Sequence, residues 1–449
     1  MITAATGTAS VVERARHKLV VLDDDPTGSQ TVRDVPLLLR FEPDDVQWAL
    51  MHESDVVFAL TNTRALPEAQ ATVLTRAVGA RVCQTAAKLG LNTRFVSRSD
   101  STLRGHFPAE VEALCEALAE SGQPPFDATL LCPAFPEAGR VTVDDVHYLE
   151  RNGARVPVAT TEFARDPVFP YESSDLNEWV AARYRQAGRT PPRCAHVALE
   201  HVREGGADAV ARQLMAVARD GAVVVLNAET AADLVTLASG AREAERSGRR
   251  FAYRTGPSFV AALAGRPTPP PIAQSAAGTG HGLVVVGSHT ELTTAQLDRA
   301  SARRPLHAVG INAASPVVAR AIDEAVEALA DADVALVTSR TVLASGDAGA
   351  NLALKAHIAD AVIKAVVGIV DRVRPRYIVA KGGTTSHDVA ARGLDSGRVT
   401  VLGQLFPGLV SVWRLEDSRR APGLPYVVFP GNVGSEDTLA DCIDRLEVA

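Results

Sequence analysis

KLVVLDDDPTGSQ, Lys18 to Gln30, decides how this chain is read. Its first half is a short apolar run rich in β-branched residues, the pattern of a strand covered on both faces in a parallel sheet. Its second half is a polar turn, with Asp, Pro, Thr and Gly in succession. A strand that ends in such a loop and precedes helical periodicity makes a βα unit, and open α/β sheets bind ligands beyond the carboxyl ends of their strands. The same pattern predicts strands at Lys18–Leu22, Val56–Leu60, Thr93–Arg98, Ala128–Cys132 and Val223–Asn227, and a helix over Pro108–Ala119. It returns at Leu283–Val286, Val334–Thr338, Tyr377–Ala380 and Tyr426–Phe429. The fold class expected is α/β in two domains, each a mostly parallel sheet flanked by helices.

The run AGRPTPPPIAQSAAGTGHG, residues 264–282, replaces periodicity with Pro, Gly, Ser and Ala, so it is expected to be a linker between a first domain, 1–263, and a second, 283–449. The 449 residues exceed what one core usually serves, and 46% hydrophobic with 22% charged residues is a globular composition. A net charge of -7 without a dense Lys/Arg stripe argues against nucleic acid as a partner. Five scattered cysteines with no CxxC pair suggest neither a disulfide framework nor a zinc site, and point to a reducing compartment. No signal-peptide pattern and no apolar run near the ~20 residues that span a bilayer is present, so a cytoplasmic protein without membrane partners is expected.

Asp23, Asp24 and Asp25 crowd three carboxylates at a strand's carboxyl end, where ionisation is costly unless cations or donors compensate. One could accept a proton from a substrate hydroxyl while another orients a hydroxyl or a metal-bound water; a plain turn is the alternative. SDSTLRGH, Ser99 to His106, follows a second strand, and its Asp100, Ser101 and Arg104 could recognise an acid, the guanidinium taking a carboxylate on its planar fork. A capped helix with Arg104 in a structural salt bridge is the competing reading. TNTR and CPAFPEAGR add Arg64 and Arg140 to an anion pocket, or are rigid turns. Asp144, Asp145 and His147 in VTVDDVHYLE lack the spacing of a zinc helix and are expected in a solvated loop.

In the second half, LVVVGSHTELTTAQL, YIVAKGGTTSHDVAARGL and YVVFPGNVGSEDTLADCI each place Gly between a strand and a helix. Glycine lets backbone N–H groups approach phosphate oxygens, Ser or Thr adds a hydroxyl, and a helix N-terminus favours negative charge. Several such loops, with Pro407–Gly408 as a fourth, suit a nucleotide phosphate chain better than one small anion. The alternative is tight turns with Thr290, Ser386 and Ser435 as N-caps. Neither GxxxxGK[ST] nor GxGxxG occurs, which weakens a nicotinamide-dependent dehydrogenase reading without removing it. A non-catalytic sugar-acid sensor also stays open.

Together these motifs resemble the four-carbon acid sugar kinases, in which an N-terminal domain holds a tetronate-type acid and a C-terminal domain holds ATP. DDDPTG resembles that family's ADDLTG, SDSTLRGH its IDSTLRGN, and PAFPEAGR and TEFARDPVFP its PAFP-x-x-GR and TE-x-ARDP stretches. GSHT resembles GSCS, KGGTTS resembles TGGETS, and FPGNVG resembles KSGNFG. The resemblance implies substrate contacts from Asp24, Asp25 and Arg104, and ATP contacts from Ser288, Gly382, Gly383, Thr384, Thr385 and Gly431. Thr290, Gly408 and Asn432 complete the expected nucleotide loops. Pro26, His106, His289, Lys381 and Thr384 depart from the family's pattern and imply a divergent branch whose acid need not have four carbons. Lys381 could touch a phosphate or lie on the surface. The mechanism expected is transfer of the γ-phosphoryl of ATP, with Mg2+, to a hydroxyl of a threonate-, erythronate- or oxo-tetronate-like acid across the interdomain cleft, with Asp25 as base and Asp24 as its rival. A homodimer is left open, and so is a metal held directly by the carboxylates.

Overall fold

In a computed structural model, residues 17–447 are described except 152, 267–268, 273–278, 312–317 and 339–347; the side chains of 348–356 are not described either. Contacts group the chain into two units, Met1–Thr31 with Phe41–Thr268, and Val32–Arg40 with Pro269–Ala449. The single cut expected from the sequence leaves out the early excursion at Val32–Arg40, whose strand pairs with the second unit's sheet.

The strands, in chain order, are β1 (His17–Asp23), β2 (Val35–Leu38), β3 (Val56–Leu60), β4 (Asn92–Arg98), β5 (Ala128–Cys132), β6 (Arg140–Val143), β7 (Val146–Arg151), β8 (Ala154–Pro157), β9 (Cys194–Val197), β10 (Ala222–Leu226), β11 (Phe251–Thr255), β12 (Leu283–Val286), β13 (Leu306–Ile311), β14 (Asp333–Thr338), β15 (Ile378–Lys381), β16 (Arg398–Gln404), β17 (Ser411–Leu415) and β18 (Pro425–Phe429). In the first unit β3-β1-β4-β11-β5-β10-β9 run parallel, with Asp23 of β1 level with Leu60 of β3 and Arg98 of β4. Residues 20–22 are buried, as a strand covered by helices on both faces requires. Between β5 and β9 the chain makes a separate antiparallel sheet, β6-β7-β8.

In the second unit β13-β14-β12-β15-β18 are parallel, and the sheet continues antiparallel through β17, β16 and β2. Its core gathers Val284, Tyr377, Val427, Phe429, Leu439 and Ile443. Of the expected linker, Pro269–Ile272 lies against this unit: Ile272 is buried and donates its N–H to Gln404 O. Residues 267–268 and 273–278 of the expected linker lie outside the described residues.

Candidate functional site

At the carboxyl ends of β1, β3 and β4 the three aspartates are not equivalent. Asp23 and Asp24 side chains are 1% and 2% exposed, whereas Asp25 is 21% exposed. Arg98, the last residue of β4, donates to Asp23 Oδ1 at 2.6 Å. Arg64 bridges the other two, with Nη2 on Asp24 Oδ1 and Nη1 on Asp25 Oδ2, both at 2.5 Å. Ser99 Oγ donates to Asp24 Oδ2 at 2.5 Å. The TNTR loop thus supplies the cation that the crowded triplet requires, and a plain turn would need none.

Charge balance separates the carboxyls chemically. Burial pushes Asp23 up to about 7, with Arg98 opposing and Asp24 and Asp25 adding to the rise. Burial acts on Asp25 in the same direction, but Arg64, Arg98 and two hydrogen bonds from Thr27 outweigh it and hold the carboxyl below its usual range. Asp25 is therefore an ionised, partly open carboxylate beside two enclosed ones. Glu110, the second residue of the helix Ala109–Glu120, is also enclosed; burial and the charge of Asp24 push it up to about 7, and Thr63 Oγ1 donates to its Oε1 at 2.5 Å.

The loop expected to recognise the acid, Ser99 to His106 and here called the acid loop, is held from several sides. Asp100 lies well below the usual carboxylate range because Arg64 and Arg104 outweigh its burial. Arg104 Nε donates to Asp100 Oδ2 at 2.6 Å, its Nη1 lies 3.5 Å from Asp166 Oδ2, and its guanidinium sits 5.1 Å from the Phe163 ring centroid. The TEFARDP stretch is therefore the mount of Arg104. Arg140 faces the same cluster: burial lowers its pKa, Asp100 draws it, and Arg151 and Arg104 repel it. Ser101 is buried, and its carbonyl accepts from His147. His106, a departure from the family's pattern, is structural here, with Nε2 2.9 Å from Leu66 O and its ring against Phe169.

The expectation of a solvated loop at Asp144, Asp145 and His147 holds for Asp144, which is exposed in the turn between β6 and β7, and is corrected for the other two. Asp145 is buried and accepts from Asn227, Asn177 and His196, while His147 is fully buried between Thr142 and the acid loop. Arg98, Ser99, Glu110 and Arg254 belong to the cluster but were not singled out from sequence. Arg98 and Arg254 sit within strands, and the reading looked only beyond strand ends. Gly105 closes the arrangement at φ +117°, where a Cβ would meet Ser99 Oγ at 2.7 Å and Asp24 Oδ2 at 2.9 Å.

A larger cavity of about 820 Å³ opens at the other end of the same strands, beside His17, Asn92, Phe251 and several arginines. Its cations already serve the scaffold: Lys18 donates to His52 O and Ser54 O, Arg242 to Ala262 O and Leu263 O, and Arg249 to Asp127 and Met215 O. The amino ends of the strands are thus a capping layer, and the carboxylate cluster lies at the opposite ends.

In the second unit the structure brings three of the glycine loops together. Thr290 caps the helix Glu291–Arg303 by accepting from Thr293 N at 3.2 Å, and its hydroxyl donates to Gly431 O at 2.7 Å. Thr293 Oγ1 lies 2.9 Å from both Ser288 Oγ and Gly431 O. A Cβ on Gly287 would collide with Thr385 Oγ1, and one on Gly431 with Ser288 Oγ. Gly382, at φ +121°, precedes the short helix Gly383–Asp388, and Asn432 is exposed beside Gly431. A cavity of about 320 Å³ adjoins the loops, bounded by Gly287, His289, Thr384 and Thr385 and floored by Ile358 and Val362.

Not every expected residue joins them. Gly408 N–H donates to Gln404 Oε1 at 2.6 Å in the turn between β16 and β17. Ser386 is not an N-cap; its hydroxyl turns back to Ala380 O and Gly382 O. Lys381 is not on the surface: it is fully buried, with Nζ 3.2 Å from Pro430 O and 4.0 Å from the Phe429 ring centroid. Among the described residues no group of three or more His, Cys, Asp or Glu side chains could hold a metal ion, and no helix is long and apolar enough to cross a membrane.

Comparison with known proteins defines the class. Residues 19–263 match the family model of a sugar-binding N-terminal domain, and residues 283–439 that of a nucleotide-binding C-terminal domain. The chain belongs to the four-carbon acid sugar kinase family and is a phosphotransferase. It is 27% identical over 469 residues to a D-threonate kinase of Salmonella typhimurium, covering 96% of this chain and 98% of that protein. It is 33% identical over 247 residues to a D-erythronate kinase of Heliobacterium modesticaldum, covering 54% of this chain and 49% of that one. The same fold is seen in a solved Salmonella typhimurium protein described as a putative tRNA synthase, with TM-score 0.68, 16% identity and coverage of 96% and 100%. A Haemophilus influenzae protein shares it with TM-score 0.64, 18% identity and coverage of 94% and 99%.

Proposed function

We propose that the chain transfers the γ-phosphoryl group of ATP to a hydroxyl of a small tetronate-type sugar acid, of the kind named for its threonate and erythronate kinase relatives. The observation that carries the reading is Asp25: alone of the triplet it is both held ionised and partly open. A sugar hydroxyl is a weak nucleophile until its proton has an acceptor, and an ionised carboxylate at a strand's carboxyl end supplies one. Asp24, enclosed by Arg64 and Ser99, orients rather than accepts. Arg104, Arg64 and Arg140 give the site its cationic side, and Asp100 and Ser101 fix the loop that presents Arg104. Arg64 and Arg104 are themselves paired with carboxylates, so an incoming acid shares donors already aligned rather than capturing a loose cation.

In the second unit, Gly287, Ser288, Gly382, Gly383 and Gly431 offer a surface that backbone can approach, suited to the phosphates of ATP. The adjoining cavity, with its apolar floor and threonine rim at Thr384 and Thr385, suits the base. Magnesium supplies charge neutralisation on the phosphates in such reactions. Asp24 and Asp25 are engaged by Arg64, so the aspartate triplet does not fit as a ready-made metal cage, and no step is assigned to the ion through these carboxylates.

Asp25→Asn keeps size and removes the charge. Turnover is expected to fall at least about a hundredfold, with ATP and acid binding retained, because a positioned base contributes ~10²- to 10⁴-fold in the transition state. The check is ADP release with a panel of aldonic and tetronic acids, alongside the melting temperature of the same preparation. A stable variant with near-parental turnover removes Asp25 from the role.

A further inference from the structure

The acid loop is under backbone strain, and the strain is local. Leu103, a branched residue, sits at φ +70°, in the left-handed region that non-glycine residues rarely adopt. Such a conformation persists only where surroundings over-determine it. Here the carbonyls just before Leu103 are gripped from outside the loop. His147 on β7 lies with Nε2 2.7 Å from Ser101 O, and Tyr171 Oη donates to Thr102 O at 2.7 Å. On the far side, Arg254 Nη2 donates to Arg104 O at 3.3 Å, and Asp166 and Phe163 hold the Arg104 side chain. His147, Tyr171, Phe163 and Asp166 all come from the segment inserted between β5 and β9.

Hydrogen-bond chemistry fixes the state of His147. Ser101 O can only accept, so Nε2 must carry a proton; the fully buried ring, neutral at ordinary pH, then leaves Nδ1 as acceptor for the Thr142 hydroxyl 2.9 Å away. Both bonds come from the inserted sheet or end on the acid loop, and neither reaches the proposed nucleotide loops.

We propose that the inserted β6-β7-β8 sheet and the turns after it are a positioning frame for the acid loop, with His147 as its main pin and Tyr171 as the second. The inference rests on the reading of that loop as the acid site. By holding Leu103 in its strained conformation, the frame sets where Asp100 and Arg104 stand relative to Arg64, and so sets affinity for the acid. His147 is a positioning residue and touches no reacting atom.

The test joins a structural readout with a kinetic one. In His147→Ala and Tyr171→Phe, amide hydrogen exchange at residues 100–105 should quicken at least about tenfold while β1 and β4 stay protected. The Michaelis constant for the acid should rise about tenfold or more, with that for ATP changed less than about twofold. His147→Gln, which can place an amide N–H near the position of Nε2, should restore both readouts in part. Folded variants with parental exchange at 100–105 overturn the frame. So does an equal loss of ATP and acid affinity, or a Gln variant no better than Ala. Should His147→Ala not fold, Tyr171→Phe and His147→Gln decide by the same criteria. Exchange is measured without turnover, so a parent protein that proves inactive on every acid would sink the kinase reading while leaving the frame to stand or fall on its own.

Discussion

The two units build polar sites by opposite means. In the first, five arginines and six carboxylates, Arg64, Arg98, Arg104, Arg140, Arg254, Asp23, Asp24, Asp25, Asp100, Asp166 and Glu110, converge on one end of a sheet, mostly buried and paired with one another. In the second, glycines and hydroxyls meet, and Gly287, Ser288, Thr290, Thr385 and Gly431 carry no formal charge. The difference teaches what each loop must do before a ligand arrives. A network of enclosed charges is rigid because any displaced member leaves a partner uncompensated. A set of glycine loops is defined by how closely its members approach, Gly287 against Thr385 and Gly431 against Ser288, and no ion pair holds them there.

The sharpest way to break this contrast is Arg64→Ala. Removing one member of a buried pair costs ~3–5 kcal/mol, because the partner charge stays enclosed. Asp24 at 2% exposure is that partner. Denaturant unfolding followed by hydrogen exchange is expected to show a loss of this size in the first unit, with the protection of β12, β15 and β18 unchanged. A loss under ~1 kcal/mol would mean that the cluster is not the rigid network described.

The next prediction uses pH, since the charged cluster of the first unit holds groups placed to titrate in opposite senses. Burial, then the charges of Asp24 and Asp25 or of Asp24 alone, raises Asp23 and Glu110 to about 7. A carboxyl raised above its unfolded value contributes stability that is full below the unfolded value and is lost as pH rises to about 7. Burial lowers His147 to about 4, with Arg140 repelling the proton and Ser101 and Asp100 favouring it. Below ~6.5 the unfolded state then binds the proton more readily, so this group makes stability fall as pH drops, by roughly 3 kcal/mol on reaching pH 4. The two trends offset each other in the parent. Glu110→Gln should expose the acid-side loss, and His147→Gln should steepen the decline of stability from pH 4 to 7. Melting curves across that range check both, and parallel profiles for the two variants would refute the assignment.

How much of this was legible follows from the same contrast. Continuous apolar β-branched runs such as those of β3, β5 and β12 declared themselves, because a strand covered on both faces has no polar alternation to confuse it. The sheet β6-β7-β8 did not, since VTVDDVHYLERNGARV mixes charge with short apolar stretches and its turn takes Asp144 and Asp145 at positive φ. In the site, Asp24, Asp25, Arg64 and Arg104 were readable as loop residues after strands. Arg98 and Arg254 were not, because a strand residue is taken for scaffold until a neighbouring strand is seen to set a carboxylate beside it. Glu110 stands in the first turn of a helix, where an acid is ordinary, and only tertiary packing against Thr63 and Asp24 gives it another character. Lys381 shows the converse: a lysine at a strand end read as a phosphate contact or a surface residue, yet strand pairing with Val286 and Phe429 encloses it completely.

The smallest effect sharpens the contrast from the neutral side. Thr290 does two jobs with one hydroxyl: it accepts from Thr293 N at 3.2 Å as an N-cap, and donates to Gly431 O at 2.7 Å, tying the first glycine loop to the third. Replacing a capping Thr by Ala costs ~1 kcal/mol, far less than removing Arg64, because the freed N–H at a helix terminus can turn to water. Thr290→Ser keeps the oxygen and should be close to neutral. If the loops act together on the phosphates, Thr290→Ala should weaken ATP by severalfold while the Michaelis constant for the acid stays put, the mirror of the pattern expected for His147→Ala. Thermal melts set the cap's share and isothermal titration with ATP sets the loop's share. Should Ala lose stability but bind ATP as the parent does, Thr290 is a helix cap alone and the tie between the loops carries no affinity.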